Sequence, residues 1–432
     1  MSLPVTKALL VVTSFLFLVS PLAVHASTYW VSPAGQSCQT NQCDCTETKP
    51  CELNPSLLNQ LQPGDQVQLH AGLYSGFVIN ALHGTAEKNI TFSGPETGLP
   101  AHIKGEPGQR DAIELRRSSH LVLQHIKVTD APRSGIRLNN SHHITVRNTT
   151  LEQNGVWGIF TNHSNHFYAH HNTIIGPATE HGIYQSNSGD HVSIIGNYII
   201  NFDRCAVHFN GDLSMGGGPG VEGDGIISDI EIRDNFFAGN GRDGGSAINL
   251  DGVDGGIISN NILFDNTASG IAVYKYDGAY GSKNIHIERN LIIMPPESRF
   301  ALNFNHSEGN NVVQHNLIIA QHASRGIYDA RPVELSFNRS EPITGLPFEA
   351  QNNGYSYQGL FALFNNRRRV SFQQWQDQQQ ETGSTLLSLE HMLMSASPDY
   401  RFALPANLTQ FMQQHQIAVE HPYLHLIDMA HD

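Results

Sequence analysis

The sequence predicts an all-β solenoid, a coil of stacked parallel strands, and three observations predict it. Eight segments align between residues 118 and 330, from "SSHLVLQHIKVTDAPRSGIRLNN" to "NNVVQHNLIIAQHASRGIYDA". Two columns stay in phase through them. One is asparagine (148, 172, 197, 235, 261, 290, 316), with His125 in its place in the first segment. The other is a small residue followed by an aliphatic: Gly135-Ile136, Gly158-Ile159, Gly182-Ile183, Ala206-Val207, Ala247-Ile248, Gly270-Ile271, Ala301-Leu302 and Gly326-Ile327. Finally, short alternating apolar runs are bounded by Gly, Asn, Asp and Ser, and long helical patterns are scarce.

Residues 1–26 read as a secretory signal. Lys7 gives the charged start, residues 8–19 the apolar run, and "VHA" (24–26) a small-residue cleavage site after Ala26. The run is shorter than the ~20 residues of a membrane span, and no later segment is apolar for long enough. The mature chain is therefore expected to be secreted or periplasmic. Residues 27–117 form an N-terminal cap. Four of the five cysteines, Cys38, Cys43, Cys45 and Cys51, fall here. In an oxidising compartment they imply two local disulfides among three possible pairings, with a zinc site as the alternative; Cys205 reads as a small apolar filler.

Residues 118–330 are the regular coils, whose asparagine column is architectural, stacked amides satisfying polar groups at a bend. Beyond 330 the period fades. Residues 331–432 read as a tail capping the coils, because terminal repeats need covering.

Composition narrows the partners. The balance of 25 basic against 39 acidic residues gives −14, with no basic stripe. This argues against nucleic acid and anionic membranes. A polyanionic substrate then requires a locally positive or metal-bridged groove. A monomer is expected.

Side chains alternate along a strand, so if the aliphatic column points inward its successors point out. That outward column reads Arg137, Phe160, Tyr184, His208, Asn249, Ala272, Asn303, and a second one Asn139, Asn162, Ser186, Asn210, Asp251, Tyr274, Asn305. Tyr184, His208, Asn210, Asn249 and Asp251 thus fall in one patch about 10–15 Å long. His181, Asn187, Asp190, Asp212 and Lys275 flank it. Most coils take 23–29 residues between ladder asparagines, but 197 to 235 takes 38. The excess, "GDLSMGGGPGVEGDG" (211–225), leaves directly after His208 and Asn210 and carries Asp212, Glu222 and Asp224. Insertions in a solenoid map to surface loops, often on the binding face.

The repeats, together with "YWVSPAG" (29–35), "LQPGDQVQLHAGLYSG" (61–76) and the tail strings "SFQQWQ" and "SPDYRFA", resemble the right-handed parallel β-helix proteins of the pectate-lyase-like superfamily. The resemblance implies that fold and a secreted protein acting on an acidic, commonly uronate-containing polysaccharide. It does not extend to the specific motifs: no "GHG", "RIK", "NTD", "DPHD" or "RxPxxR" occurs.

β-Elimination on a uronate polymer needs the carboxylate neutralised, a base for the C5 proton and an acid for the departing O4. We expect His208 as base, Tyr184 as acid and Lys275 as the rival base. Substrate contacts are expected from Arg137, His181, Asn187, Asn210, Asn249 and Tyr274. Asp212, Asp251, Glu222 and Asp224 are oxygen donors of the kind Ca²⁺ accepts. A C5-epimerase would share the proton abstraction, a hydrolase would need two carboxylates about 5–10 Å apart, and a glycan-binding solenoid would need no catalysis.

Overall fold

The computed structural model describes residues 26–37, 44–215, 223–320, 326–331, 342–378, 380–388, 400–418 and 420–429. The expected signal, apart from Ala26, lies outside them, as do Cys38, Cys43 and Glu222.

One coil shows how the sequence turns corners. Strand His142–Arg147 ends at Asn148, strand Thr150–Glu152 follows, and a turn leads into Trp157–Asn162. Asn148 is left-handed, φ 50°, and so are its register equivalents His125, His171, Asp234, Asn260, His315 and Asn352. Asn, Asp and His tolerate this region better than other side chains. Repeating the coil stacks three parallel sheets of 13, 12 and 12 strands among the described residues.

The asparagine ladder occupies the next position. Asn197 Nδ2 donates to Asn235 Oδ1 at 2.9 Å and Asn235 Nδ2 to Asn261 Oδ1 at 2.9 Å, and the chain of amides continues through Asn290 and Asn316 to Asn353. The ladder begins at Asn172, whose Oδ1 accepts from the backbone of Thr149. Asn148 and His125 are therefore not rungs; they are corner residues one position earlier.

The inward column is as expected: Ile136, Ile159, Ile183, Val207, Ile248 and Ile271 are all fully buried. The coils also run past residue 330, with strands Phe348–Gln351, Gly354–Tyr357 and Ala362–Phe364 adding another turn inside the expected tail. The core then ends on Trp375, which stacks on Tyr328 and donates through Nε1 to Glu381 at 2.9 Å. Asn353 and Tyr355 donate to the same carboxylate, so the last rung of the ladder meets a buried acceptor.

The rest of the tail folds back along the third sheet. Leu408, Phe411 and Met412 of helix Ala406–Gln414, with Phe402 and Leu404, bury the outer faces of Ile200, Phe236, Phe264, Ile293 and Ile319. Strands there are apolar on both faces because both are covered. The N-terminal strand Thr28–Gln36 pairs with Gln66–Leu69, and Cys45 is bonded to Cys51 beside it. Cys205 is free and buried. No described helix is long and apolar enough to cross a membrane.

Candidate active site

The second sheet keeps its outer face open, and the expected register holds along it. Arg137 pairs with Phe160, Phe160 with Tyr184, Tyr184 with His208, and His208 with Asn249. In the neighbouring column Ser186 pairs with Asn210, Asn210 with Asp251, and Asp251 with Tyr274. The rings stack as the strands do: Phe160 on Tyr184 at 5.1 Å and Tyr184 on His208 at 5.1 Å, with Trp157 4.3 Å from Phe160.

A hydrogen-bond chain at the centre assigns the histidine protons. The Cys205 backbone N–H can only donate, and it donates to His181 Nδ1 at 3.1 Å. Burial, with His208 and Arg204 nearby, holds His181 well below the ordinary imidazole range, so the ring is neutral. Its proton is then on Nε2, which lies 3.0 Å from His208 Nδ1 and 3.4 Å from Glu180 Oε2. His208 is neutral too, pushed down to about 3 by burial first and Arg204 second. Its Nδ1 is occupied, so its own proton sits on Nε2, 3.4 Å from Tyr274 Oη. Both tautomers follow from one backbone amide.

His208 consequently has no free lone pair, and the base role expected for it is withdrawn. What remains open to a ligand is a pair of phenols. Tyr184 Oη accepts from Asn210 Nδ2 at 3.3 Å, and Tyr274 Oη from Asn249 Nδ2 at 3.4 Å, one on either side of His208. Burial pushes the Tyr184 phenol up to about 12, opposed by the Asn210 hydrogen bond. Tyr274 lies well above its ordinary value, through burial first and then the charge of Asp251.

The remaining expected residues have other partners. Asp251 is buried and accepts from the backbone of Tyr276 at 2.7 Å, Asp277 at 2.8 Å and Gly278 at 3.3 Å, so its carboxylate builds the wall loop beside the site. Asp212 caps its own turn through Ser214 and Met215, and the exposed Asp224 accepts from Ile226 N–H. Of the carboxylates expected to hold Ca²⁺, the three described ones, Asp212, Asp224 and Asp251, are thus each engaged with backbone amides, and Glu222 lies outside the described residues. Lys275 donates to Ala279 O at 3.0 Å on that wall loop. Asn187 donates to Asn162 Oδ1 at 2.6 Å in a corner ladder. The insertion leaves where expected: Leu213 N–H bonds Asp277 O at 3.1 Å and Ala279 N–H bonds Gly225 O at 3.0 Å, joining its described ends to the wall loop.

His181, Cys205 and His208 do bring ligand atoms within 4.8 Å of one another. They do not suit a cation. Binding through His181 Nε2 would move that ring's proton to Nδ1, against the Cys205 N–H.

Three site residues, Glu180, Arg204 and Trp157, carry no expectation from the sequence. Glu180 is held by Arg204 at 3.2 Å and orients the His181 proton; Trp157 extends the ring stack. Glu180 precedes a singled-out histidine and Arg204 precedes Cys205, so their flanking positions were the available signal.

Residues 69–199 and 196–339 match the family described as "Right handed beta helix region", which spans more than half of the chain. The chain belongs to that family. No curated protein matches. Among solved structures it is similar to XylC in complex with xylose, at 10% identity and TM-score 0.50, covering 83% of this chain and 82% of that one. It is also similar to pectate lyase Pel9A (12% identity, TM-score 0.45, 80% and 79% covered). A third is the mannuronan C-5 epimerase AlgE6 A-module of Azotobacter vinelandii (14% identity, TM-score 0.43, 83% and 88% covered). At these identities the likeness is one of fold.

Proposed function

We propose that this chain is a secreted lyase that cleaves a uronate-containing polysaccharide by β-elimination, with proton traffic carried by Tyr184 and Tyr274 around a fixed His208. The observation that carries the reading is the phenol pair, each held by an asparagine amide, beside a histidine whose protons are already assigned. In the reaction the ionised Tyr184 takes the C5 proton. The electron pair left on C5 forms the C4–C5 double bond as the C4–O4 bond breaks. Tyr274 O–H then protonates the departing O4, and its phenolate is stabilised by His208 Nε2–H and Asn249 Nδ2–H. Solvent exchange restores both phenols. The second amide N–H of Asn210 and of Asn249, which donates to no described residue, would bind the substrate carboxylate. No step runs through Ca²⁺.

Hydrolysis is supported less, because Asp251 and Asp212 are already engaged. Epimerisation shares the supporting observation, since phenols on two sides of one centre also suit removal and return of a proton on opposite faces. The Cys45–Cys51 disulfide is compatible with secretion.

The test is the ultraviolet absorbance of the unsaturated uronyl product on a panel of alginate, pectate and glycosaminoglycans. A rise abolished in Tyr274→Phe supports the lyase. Deuterium incorporation from heavy water without that rise moves the reading to epimerisation. New reducing ends without either would refute the phenol mechanism.

A further inference from the structure

Among the described residues, the Arg137 cation on the second sheet's outer face has no anion or hydrogen-bond acceptor. The Arg137 guanidinium lies over the Phe160 ring at 4.0 Å, its Nη1 is buried without a partner, and none of its nitrogens donates to a described residue. The nearby carboxylates are taken. Asp111 is bound through both oxygens by Arg133, and Glu114 by Arg116 at 2.6 Å. The charges acting on Arg137 are those of Arg133 and Arg110 against Asp111 and Glu114, and these two carboxylates are the ones already paired with Arg133 and Arg116. Burial and the charge of Arg133 lower the Arg137 guanidinium to about 10, which fits a cation short of anions. The protein carries −14 overall, so this end of the groove is positive against the trend. An unpaired, partly desolvated charge is costly unless an anion meets it.

The surroundings suit an acidic sugar. The faces of Phe160 are taken by Arg137 and Tyr184, but Trp157, tilted against Phe160 at 4.3 Å, adds partly exposed ring surface beside the guanidinium, the kind of apolar surface a pyranose packs on. The buried Trp157 indole N–H also has no acceptor among the described residues. A guanidinium fork matches the two oxygens of a carboxylate. Arg137 is three register steps from His208, about 14 Å along the axis.

We propose that Arg137 forms a subsite for the carboxylate of a uronosyl residue remote from the cleaved linkage, with Phe160 supporting the guanidinium and Trp157 beside it as the apolar contact for the sugar. The identity of the sugar acid rests on the reading above; the existence of an anion subsite does not.

The test is calorimetric titration of Tyr274→Phe protein, which keeps the groove without turnover, using hexamers of galacturonate, mannuronate and guluronate. Each is compared with the same hexamer reduced at its carboxyl groups to primary alcohols. At least one acid form is expected to bind about 10- to 100-fold tighter than its reduced counterpart, the preference weakening with salt. Adding Arg137→Gln is expected to remove most of that preference and leave the reduced hexamer unaffected. Arg137→Lys, which keeps the charge without the fork, should retain part of it. Arg137 makes no hydrogen bond to a described residue, so a melting temperature no lower than the parent's verifies the fold of both variants. An acid preference that survives Arg137→Gln, or no preference in any pair, overturns the subsite. If the preference follows Arg137 but no substrate yields unsaturated product, the subsite stands and the lyase reading falls. If product forms and Arg137→Gln leaves kcat/KM unchanged, the lyase stands and the subsite falls.

Discussion

His208 ties the protein's stability to pH through the tautomer chain. In the unfolded chain its imidazole titrates near the ordinary 6.5; in the folded protein it stays neutral until about 3. Between those values the unfolded state binds the extra proton, so stability is complete above 6.5 and is lost as pH falls toward 3. From about pH 7.5 to about pH 5, the two pKa values give RT ln[(1 + 10^1.5)/(1 + 10^−2)], roughly 2 kcal/mol from this one side chain. His208→Gln isolates it, because the amide oxygen accepts from His181 and the amide nitrogen donates to Tyr274, but neither titrates. Urea unfolding of both proteins at the two pH values is the assay. The parent should lose about 2 kcal/mol more than the variant between them. Equal losses would mean that His208 is not held neutral, and the proton assignments from Cys205 onward would fall with it.

Other outcomes follow from the same geometry. The elimination rate should keep rising through pH 8 and 9, because a phenol pushed up to about 12 must ionise, whereas a base that is already neutral, such as His208, would give a flat profile there; a pH–rate profile separates them. Tyr274→Phe should lower kcat about 100-fold or more with an unchanged melting temperature, read from initial rates and calorimetry. Asn235→Ala removes four amide hydrogen bonds inside the ladder, at roughly 1 kcal/mol each, so urea unfolding should show about 4 kcal/mol lost. Chelation with EDTA should leave the rate unchanged, since the described carboxylates expected to bind Ca²⁺ hold backbone amides instead.

The legible part of the fold is the part that repeats. Alternation has a period of two, so once Ile183 and Val207 are inward, Tyr184 and His208 must be outward neighbours, and they are. The ladder was misread by one residue at Asn148 for a physical reason. Asparagine suits two adjacent positions here, the left-handed corner and the stacked rung, and only the register to His170 and His171 separates them. The proton assignments were not legible. They depend on side chains 24 to 66 residues apart in sequence meeting one backbone N–H, and no spacing rule encodes a tautomer.

The tail presents the opposite case, a signal that was present and can be argued from. Strands of the third sheet read "YII", "FFA", "ILF", "LIIM" and "LIIA", apolar at consecutive positions, whereas the second sheet alternates in "IRLN" (136–139) and "VHFN" (207–210). Consecutive apolar residues in a strand require cover on both faces. Only the tail is left to supply it, so the sheet it hides could have been named from those runs. The same reasoning then leaves the alternating sheet without that cover, which is why Arg137, Tyr184, His208 and Tyr274, all only partly buried, share one outward face.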